Sequence, residues 1–353
     1  MGMIQTQGSV LRKNRRDKMN FKKTIGMMVV LMLALALMVS GCGSSDSKGT
    51  EYPKKPIEFV VPGGAGGGWD LTIRTVEKVL KDTKLVPVPM PIINKPGGGG
   101  AVTLAHIQKE KGNDKIVTVY SPPLLLINLN GSTEYSYKDT TPLAKLIEDY
   151  GAFVVAKDSK YGSIKEVMDA LKEDPKSIKI GGNSAVGSMD HIQFLLVAKA
   201  AGVKNLKEID YVSFQDNAGA AQLLGGHVHL LSTGLGDVKA LLDSGDLRAL
   251  ASTAKERVGE GVLADIPTCI EQGVDTIFIN WRGLFGVPEM PEYAQKYWGE
   301  TLAKMVETPE WAEACKRNGW TPAYADAEEF ETFLDENNEK YKKILEEIDM
   351  LGK

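Results

Sequence analysis

Ile57-Glu-Phe-Val-Val-Pro62 runs directly into Gly63-Gly-Ala-Gly-Gly-Gly-Trp-Asp70 and then Leu71-Thr72. The first part is a short β-rich run, and the glycines after it break any regular element. From Leu71 onward Val76, Val79 and Leu80 fall on one face at helical spacing, which predicts a helix over 71–81. The stretch is therefore a strand–loop–helix unit. Its pattern recurs along the chain: residues 116–120, 152–156, 178–180, 228–232 and 247–252 have strand composition, with helical stretches between most of them. Such alternation predicts an α/β fold with a mostly parallel sheet. Ser163-Ile-Lys-Glu166 fits a capping box at a helix start, and Pro175 closes that helix. Gly225-Gly226 stops a helix over 218–224, and residues 326–351 form a charged amphipathic helix. There is no internal repeat with a period of 20 to 50 residues.

The glycines carry the functional signal. Four loops after strands combine glycine with small polar residues: 62–70, Asn94-Lys-Pro-Gly-Gly-Gly-Gly100, Gly181-Gly-Asn-Ser-Ala-Val-Gly-Ser188 and Phe214-Gln-Asp-Asn-Ala-Gly219. Each is expected to open a helix. Helix N-termini expose unpaired N–H groups and a positive dipole end, and glycine lets an oxyanion approach the backbone closely. In open α/β sheets such loops gather at the carboxyl ends of strands, where ligands bind. The candidate ligand contacts from these loops are Gly66, Gly67, Gly68, Gly98, Gly99, Asn183, Ser184, Gly187, Ser188, Asp216 and Asn217, with Ser121 at another strand end. Tight turns with no ligand are the competing reading of any one loop.

Other uses of these residues are less well supported. The first loop lacks G-x-G-x-x-G in any register, because the sixth position falls on Trp69 or Leu71, and G-x-x-x-x-G-K-[ST] is absent. No cofactor is expected. No G-x-S-x-G elbow is present, and nothing near Ser121 would activate its hydroxyl, so no catalytic residue is assigned and the chain is not read as an enzyme. His227-Val-His229 puts two imidazoles on one strand face without a third ligand, so no metal site is assigned. Aromatics at 7% and the lack of a long basic run give no basis for nucleic-acid binding.

The chain has 353 residues, 25% charged and 43% hydrophobic, enough for two globular domains. Its first 42 residues read as an export signal, with Met19 the expected true start. Lys22 and Lys23 precede an apolar run over 25–39, which is too short to span a bilayer. Val39-Ser-Gly-Cys42 resembles a lipobox, making Cys42 the lipidated residue, and residues 43–51 a flexible tether. Removal of residues 1–42 takes seven of the 42 basic residues and one of the 46 acidic ones. That leaves 35 against 45, a net charge near −10. Cys269 and Cys315 show no metal spacing. Cys269, in an apolar stretch, reads as a buried thiol, though an oxidising compartment would also permit pairing.

Tyr52-Pro-Lys-Lys-Pro-Ile-Glu-Phe-Val-Val-Pro62 followed by Gly-Gly-Gly-Trp-Asp-Leu-Thr72 and Arg74 resembles the opening of the tripartite tricarboxylate transporter receptors, or Bug-type solute receptors. The likeness continues in the same order. It runs through Asn94 to Ala101, Gly181 to Asp190, Leu223-Leu-Gly-Gly-His-Val228, Gly245-Asp-Leu-Arg-Ala-Leu-Ala251, Ile266-Pro-Thr and Trp281-Arg-Gly-Leu-Phe285. The resemblance implies a two-lobed α/β fold of the periplasmic-binding-protein type, type II-like, with a ligand cleft between lobes. It places lobe 1 at 52–151 plus 275–353 and lobe 2 at 152–274.

The same resemblance implies an extracytoplasmic receptor, lipid-anchored to the cell membrane in a periplasm or on an outer face. Such a receptor binds a small carboxylate and delivers it to a permease with large and small integral membrane subunits, without ATP. The alternative is a ligand-sensing subunit for a signalling kinase. Asp70 matches the family's acid at the first helix start, either as a cap or as a partner for a ligand hydroxyl or amine, and Trp69 could stack on the ligand. Arg282, which would clamp a carboxylate bidentately, points the resemblance toward tricarboxylates such as citrate. Its competing reading is an interlobe ion pair.

Overall fold

The computed structural model describes residues 52–214 and 218–352. The export signal, Cys42, the tether, Asp216 and Asn217 lie outside the described residues. In chain order the strands are β1 (Glu58–Val61), β2 (Ile92–Asn94), β3 (Ile116–Tyr120), β4 (Thr141–Ala156), β5 (Ile180–Gly182), β6 (Tyr211–Ser213), β7 (Leu230–Gly234), β8 (Leu247–Ser252), β9 (Ile279–Gly286) and β10 (Thr321–Ala325). The helices are α1 (Gly68–Asp82), α2 (Ala101–Gln108), α3 (Pro123–Leu129), α4 (Ile164–Glu173), α5 (Met189–Ala200), α6 (Gly219–Leu224), α7 (Leu235–Asp243), α8 (Glu292–Val306), α9 (Pro309–Asn318) and α10 (Ala327–Glu347).

The strands line up as β2-β1-β3-β9-β4-β7-β5-β6, with β8 and β10 also paired to β4. At each end lies a parallel trio, β2-β1-β3 and β6-β5-β7, built from strand–helix–strand units. The expectation of a mostly parallel sheet is corrected in the middle, where β9 runs antiparallel to both β3 and β4, and β4 antiparallel to β7, β8 and β10. The reason is topological. One long strand, β4, carries the chain out of the first half, and β9 brings it back beside β4, so the two must point in opposite directions.

The register of β4 changes partners along its length. Residues 141–150 pair with β9, whereas Gly151 to Val154 pair with β7. At the change-over the Gly151 N–H donates to Thr253 Oγ1 at 2.7 Å, and a Cβ on Gly151 would collide with the Gln193 side chain. Glycine is the residue that leaves room there.

Burial explains the helix faces. Val76, Val79 and Leu80 of α1 are buried as their spacing requires, and Trp281, Trp298 and Trp311 are among the largest buried side chains. Ser163 caps α4 by accepting from Glu166 N at 3.2 Å, and Asp326 caps α10 by accepting from Glu329 N at 3.0 Å. In the first of these caps, however, Glu166 reaches back to Gly162 N rather than to the cap residue itself. Cys269 and Cys315 are both buried free thiols, and burial pushes each up to about 12, so neither is a ready nucleophile. Among the described residues no helix is long and apolar enough to cross a membrane.

Candidate functional site

Two strand–glycine–helix junctions, one from each half of the sheet, face a common cavity. The first is the turn from β1 into α1. Its cap residue is Gly67, which has no side chain to satisfy the helix N–H groups, and Gly66 sits at φ +80, where glycine is favoured. Asp70, in the first helical turn, accepts from Gly66 N at 2.9 Å, Arg74 Nε at 2.7 Å and Asn94 Nδ2 at 3.0 Å. Burial would raise this carboxyl, but those hydrogen bonds hold it below the usual carboxylate value. Asp70 thus braces the loop, and it is not on the cavity wall.

The second junction leads from β5 into α5 and repeats the device. Asp190 Oδ2 accepts from Asn183 N at 2.8 Å and Ser184 N at 2.9 Å, while Asp190 N donates to Ser184 Oγ at 2.8 Å. Gly187, at φ +77, donates its N–H to His191 Nδ1 at 3.0 Å. Burial lowers His191 to about 4, so the ring is neutral and able to accept that bond.

The cavity between them measures about 150 Å³. Gly66, Gly67, Gly68, Trp69 and Gly99 line it together with Ser121, Asn183, Ser184, Ser188 and Arg282. Gly98 and Gly187 do not, because they shape the turns behind the wall. Trp69 is fixed by donating Nε1–H to Ser121 Oγ at 2.9 Å and by an edge contact to Tyr120 with ring centres 5.9 Å apart. The β5–α5 junction also touches the loops around α2 and α3. Asn130 Nδ2 donates to Gly187 O at 2.9 Å, and a Cβ on Gly99 would lie 3.6 Å from that of Ala185.

Arg282, on β9, is 2% exposed, and all four of its Nη hydrogens have protein acceptors. Nη1 donates to Gly68 O at 2.6 Å and Thr72 Oγ1 at 2.8 Å, and Nη2 to Asp237 Oδ1 at 3.1 Å and Asp149 Oδ2 at 3.3 Å. Asp149 is fully buried beside the change-over of β4. Burial raises its carboxyl, Arg282 lowers it and Asp237 raises it again, with the net shift upward. Arg282 therefore ties α1, α7 and β4 together.

Among the charged and amide side chains that line it, three are not among the contacts expected from sequence: Asp190, Asp237 and Asn280. Two had a readable signal. Asp237 occupies the first turn of α7 as Asp70 and Asp190 do in α1 and α5. Asn280 lies two residues before Arg282 on the same strand and so shares its face. Asp190 had been noted only as part of the resemblance.

Asp190 has a consequence for stability. Burial raises its carboxyl from 3.8 to about 7, with Asp237 adding to the rise and the Ser184 and Asn183 bonds opposing it. The folded protein keeps a proton that the unfolded chain releases, so the contribution of Asp190 to stability is fully present at low pH. It is lost as pH rises from about 4 to about 7, then levels off. Asp190→Asn should flatten that slope by roughly 2–4 kcal/mol in urea melts compared at pH 5 and pH 7.5. An unchanged slope would mean that Asp190 ionises normally.

A family model described as tripartite tricarboxylate transporter family receptor matches residues 74–350. A UPF0065 protein of Cupriavidus necator is 23% identical over 312 residues, covering 86% of this chain and 90% of its own length. The structure of a TctC solute binding protein from Polaromonas, without ligand, is 28% identical over 84% of this chain and 99% of its own, with a TM-score of 0.60. MatC from Rhodopseudomonas palustris, solved with bound malate, is 18% identical over 83% of this chain and all of its own, with a TM-score of 0.73, which speaks to the fold alone.

Proposed function

The chain belongs to the tripartite tricarboxylate transporter receptor family, and on that premise we propose that it is an extracytoplasmic receptor that captures a small carboxylate. One observation carries the reading: the starts of α1 and α5 face one cavity from opposite halves of the sheet. Each helix start offers backbone N–H groups and the positive end of a dipole, the donors that a carboxylate needs. The bound malate of MatC is a small dicarboxylate of the same chemistry.

The lobes we assign are 52–151 plus 275–353 and 152–274, hinged where β4 changes partners at Gly151. A ligand that touches both junctions stabilises the closed arrangement, whereas one that touches a single lobe cannot shift the balance. Delivery to a membrane permease with large and small subunits, and tethering through a lipid on Cys42, complete the proposal. The preference for a tricarboxylate such as citrate rested on Arg282. With its Nη hydrogens committed to Gly68, Thr72, Asp149 and Asp237, that residue argues no longer for a third carboxylate.

Thermal unfolding of the purified protein with citrate, tricarballylate, succinate, malate, glutamate and adipate, each against its neutral amide, tests the reading. A true ligand at 100 times its dissociation constant should add about 2.7 kcal/mol, raising the melting temperature by roughly 5–10 °C. If the amides stabilise as well as the acids, or no carboxylate stabilises at all, the receptor reading for carboxylates is lost.

A further inference from the structure

The carboxyl ends of β1, β2 and β3 lead into the cavity wall, and their amino ends meet at a separate surface on the far side of the same half. Backbone bonds gather four segments there: Ile57 N donates to Pro89 O at 3.0 Å, Glu58 N to Lys115 O at 2.7 Å and Gly112 N to Pro288 O at 2.8 Å. Tyr52 is fixed to this surface. Its hydroxyl donates to Asp114 O at 2.5 Å and accepts from Trp298 Nε1 at 3.1 Å, and its ring makes edge contacts with Tyr293 and Tyr297 at centre distances of 5.5 and 5.1 Å. Tyr293 donates to Asp114 Oδ2 at 2.7 Å, yet it is 42% exposed. The chain upstream of Tyr52 therefore joins the domain at this face.

The charge of the face is opposite to that of the domain. Segments 52–57, 84–89, 109–115 and 287–297 hold seven exposed lysines against Glu110, Asp114, Glu289 and Glu292, a net charge of +3, and the adjoining Lys138 and Asp139 cancel. The chain after residue 42 totals about −10, so the surface outside the patch is more acidic still. Lys111 pairs with Glu289 at 2.6 Å, whereas Lys55, Lys84, Lys109, Lys115 and Lys296 form no ion pair among the described residues. An anionic surface draws such a patch toward itself and pushes the rest of the domain away, which fixes an orientation. A tyrosine at the rim, with an apolar ring and a wet hydroxyl, suits a headgroup layer.

We propose that the face around Tyr52 docks on an anionic phospholipid bilayer, with its lysines over the headgroups and Tyr293 at the interface. The inference rests on the lipid proposed at Cys42 and gives that anchor an orientation. Residues 43–51 separate Cys42 from Tyr52, a reach of at most about 30 Å. So short a tether holds the face beside the bilayer at an effective concentration at which a weak attraction suffices. The cavity, at the opposite ends of β1, β2 and β3, then faces away from lipid and is open to solute. Delivery requires the domain to turn over on its tether, which a hold made of exposed, salt-screened charges permits.

Lysine footprinting on the mature lipidated protein tests the docking face. The protein is placed on phosphatidylcholine vesicles, with or without phosphatidylglycerol as about one lipid in three, then briefly acetylated and read by mass spectrometry. Lys55, Lys84, Lys109, Lys115 and Lys296 should react roughly fivefold more slowly on the anionic vesicles, the effect of one lysine's attraction to such a surface. Lys165 in α4 and Lys204 after α5, on the other half of the sheet, should react equally on both. Salt at about 1 M, where charges are screened beyond about 3 Å, should erase the difference. Lys55→Glu, Lys109→Glu and Lys115→Glu together should release Lys84 and Lys296 on anionic vesicles, and the three glutamine substitutions, which keep the side-chain length without the charge, should release them in part. Equal rates on the two vesicles, or slowing spread evenly over Lys165 and Lys204, would overturn the docking face. So would protection that survives high salt or all three glutamates. A mature protein whose mass shows no lipid on Cys42 would overturn this inference together with the anchor, and the carboxylate screen would still decide the receptor reading separately.

Discussion

Arg282→Met is expected to lower the free energy of unfolding by about 3–5 kcal/mol at pH 7.5, the cost of leaving a buried charge without its partner. The guanidinium is 2% exposed and bonds to Asp149, which is fully buried, and to Asp237. Methionine fills much of the volume but satisfies neither carboxylate, nor Gly68 O, nor Thr72 Oγ1. Asp149, already raised by burial, then loses the cation that does most to lower it and keeps Asp237, which raises it, with the Tyr150 and Gly236 N–H groups left in opposition. The variant should therefore recover part of its stability at pH 5, where Asp149 takes a proton, and Asp149→Asn in the same background should recover part at pH 7.5. Arg282→Lys should not rescue, because a single ammonium cannot span four acceptors held in a planar fork. Urea melts at the two pH values measure all of this. A loss below about 1 kcal/mol at pH 7.5 would mean that the triad is no more than a surface-grade ion pair.

The elements that the sequence disclosed are those whose residues obey one rule at a time. β1 and β3 lie where their β-branched runs predicted, because both faces are covered and hydrophobicity alone marks them; β8 lies where expected too, though its Leu-Arg-Ala-Leu-Ala-Ser run holds no β-branched residue. β5 and β7 sit two residues later than expected: Gly181-Gly182, which read as loop, pair with Leu231 and Ser232 of β7, and Thr233-Gly234 extend β7 by pairing with β4. β2 and β6 are three-residue edges of the sheet, too short for a period to show. β10 contains Pro322 and, among the described residues, pairs only with β4. The first eleven residues of β4 were hidden by Lys145, Glu148 and Asp149, whose polarity the fold answers locally: Lys145 donates to Glu148 at 2.9 Å and Asp149 meets Arg282.

At the site the same division holds. The glycine loops were legible because close backbone approach leaves a compositional trace, and Gly66, Gly67, Gly68 and Gly99 do line the cavity. The partners of Arg282 left none. Asp149 is 133 positions away in the chain and Asp237 is 45, so the three meet through the antiparallel return of β9 beside β4 and the pairing of β7 with β4 just ahead of α7. Whether Asp70 braces a loop or meets a ligand also depends on Asn94, which the β1–β2 pairing places beside it.

Gly68→Ala is expected to cost about 3 kcal/mol in stability and to weaken carboxylate binding by at least about 100-fold. A Cβ there would overlap Arg282 Nη2 and lie 2.7 Å from Asp237 Oδ1 and 2.9 Å from Arg282 Cζ. Far ends of flexible side chains can often move aside, but this guanidinium is pinned by four acceptors, one of them the carbonyl of Gly68 itself. To make room, either Arg282 leaves Asp149 and Asp237, or the start of α1 shifts and carries its N–H groups away from the cavity. The two routes separate in a double-mutant cycle. If the cost lies in the arginine cluster, Gly68→Ala in the Arg282→Met background should be nearly free, because the atoms it strikes are gone, and the coupling should exceed about 1 kcal/mol. If the loop moves instead, stability losses add while the loss of ligand affinity persists in both backgrounds. Full additivity with unchanged affinity would separate Gly68 from both the arginine cluster and the ligand.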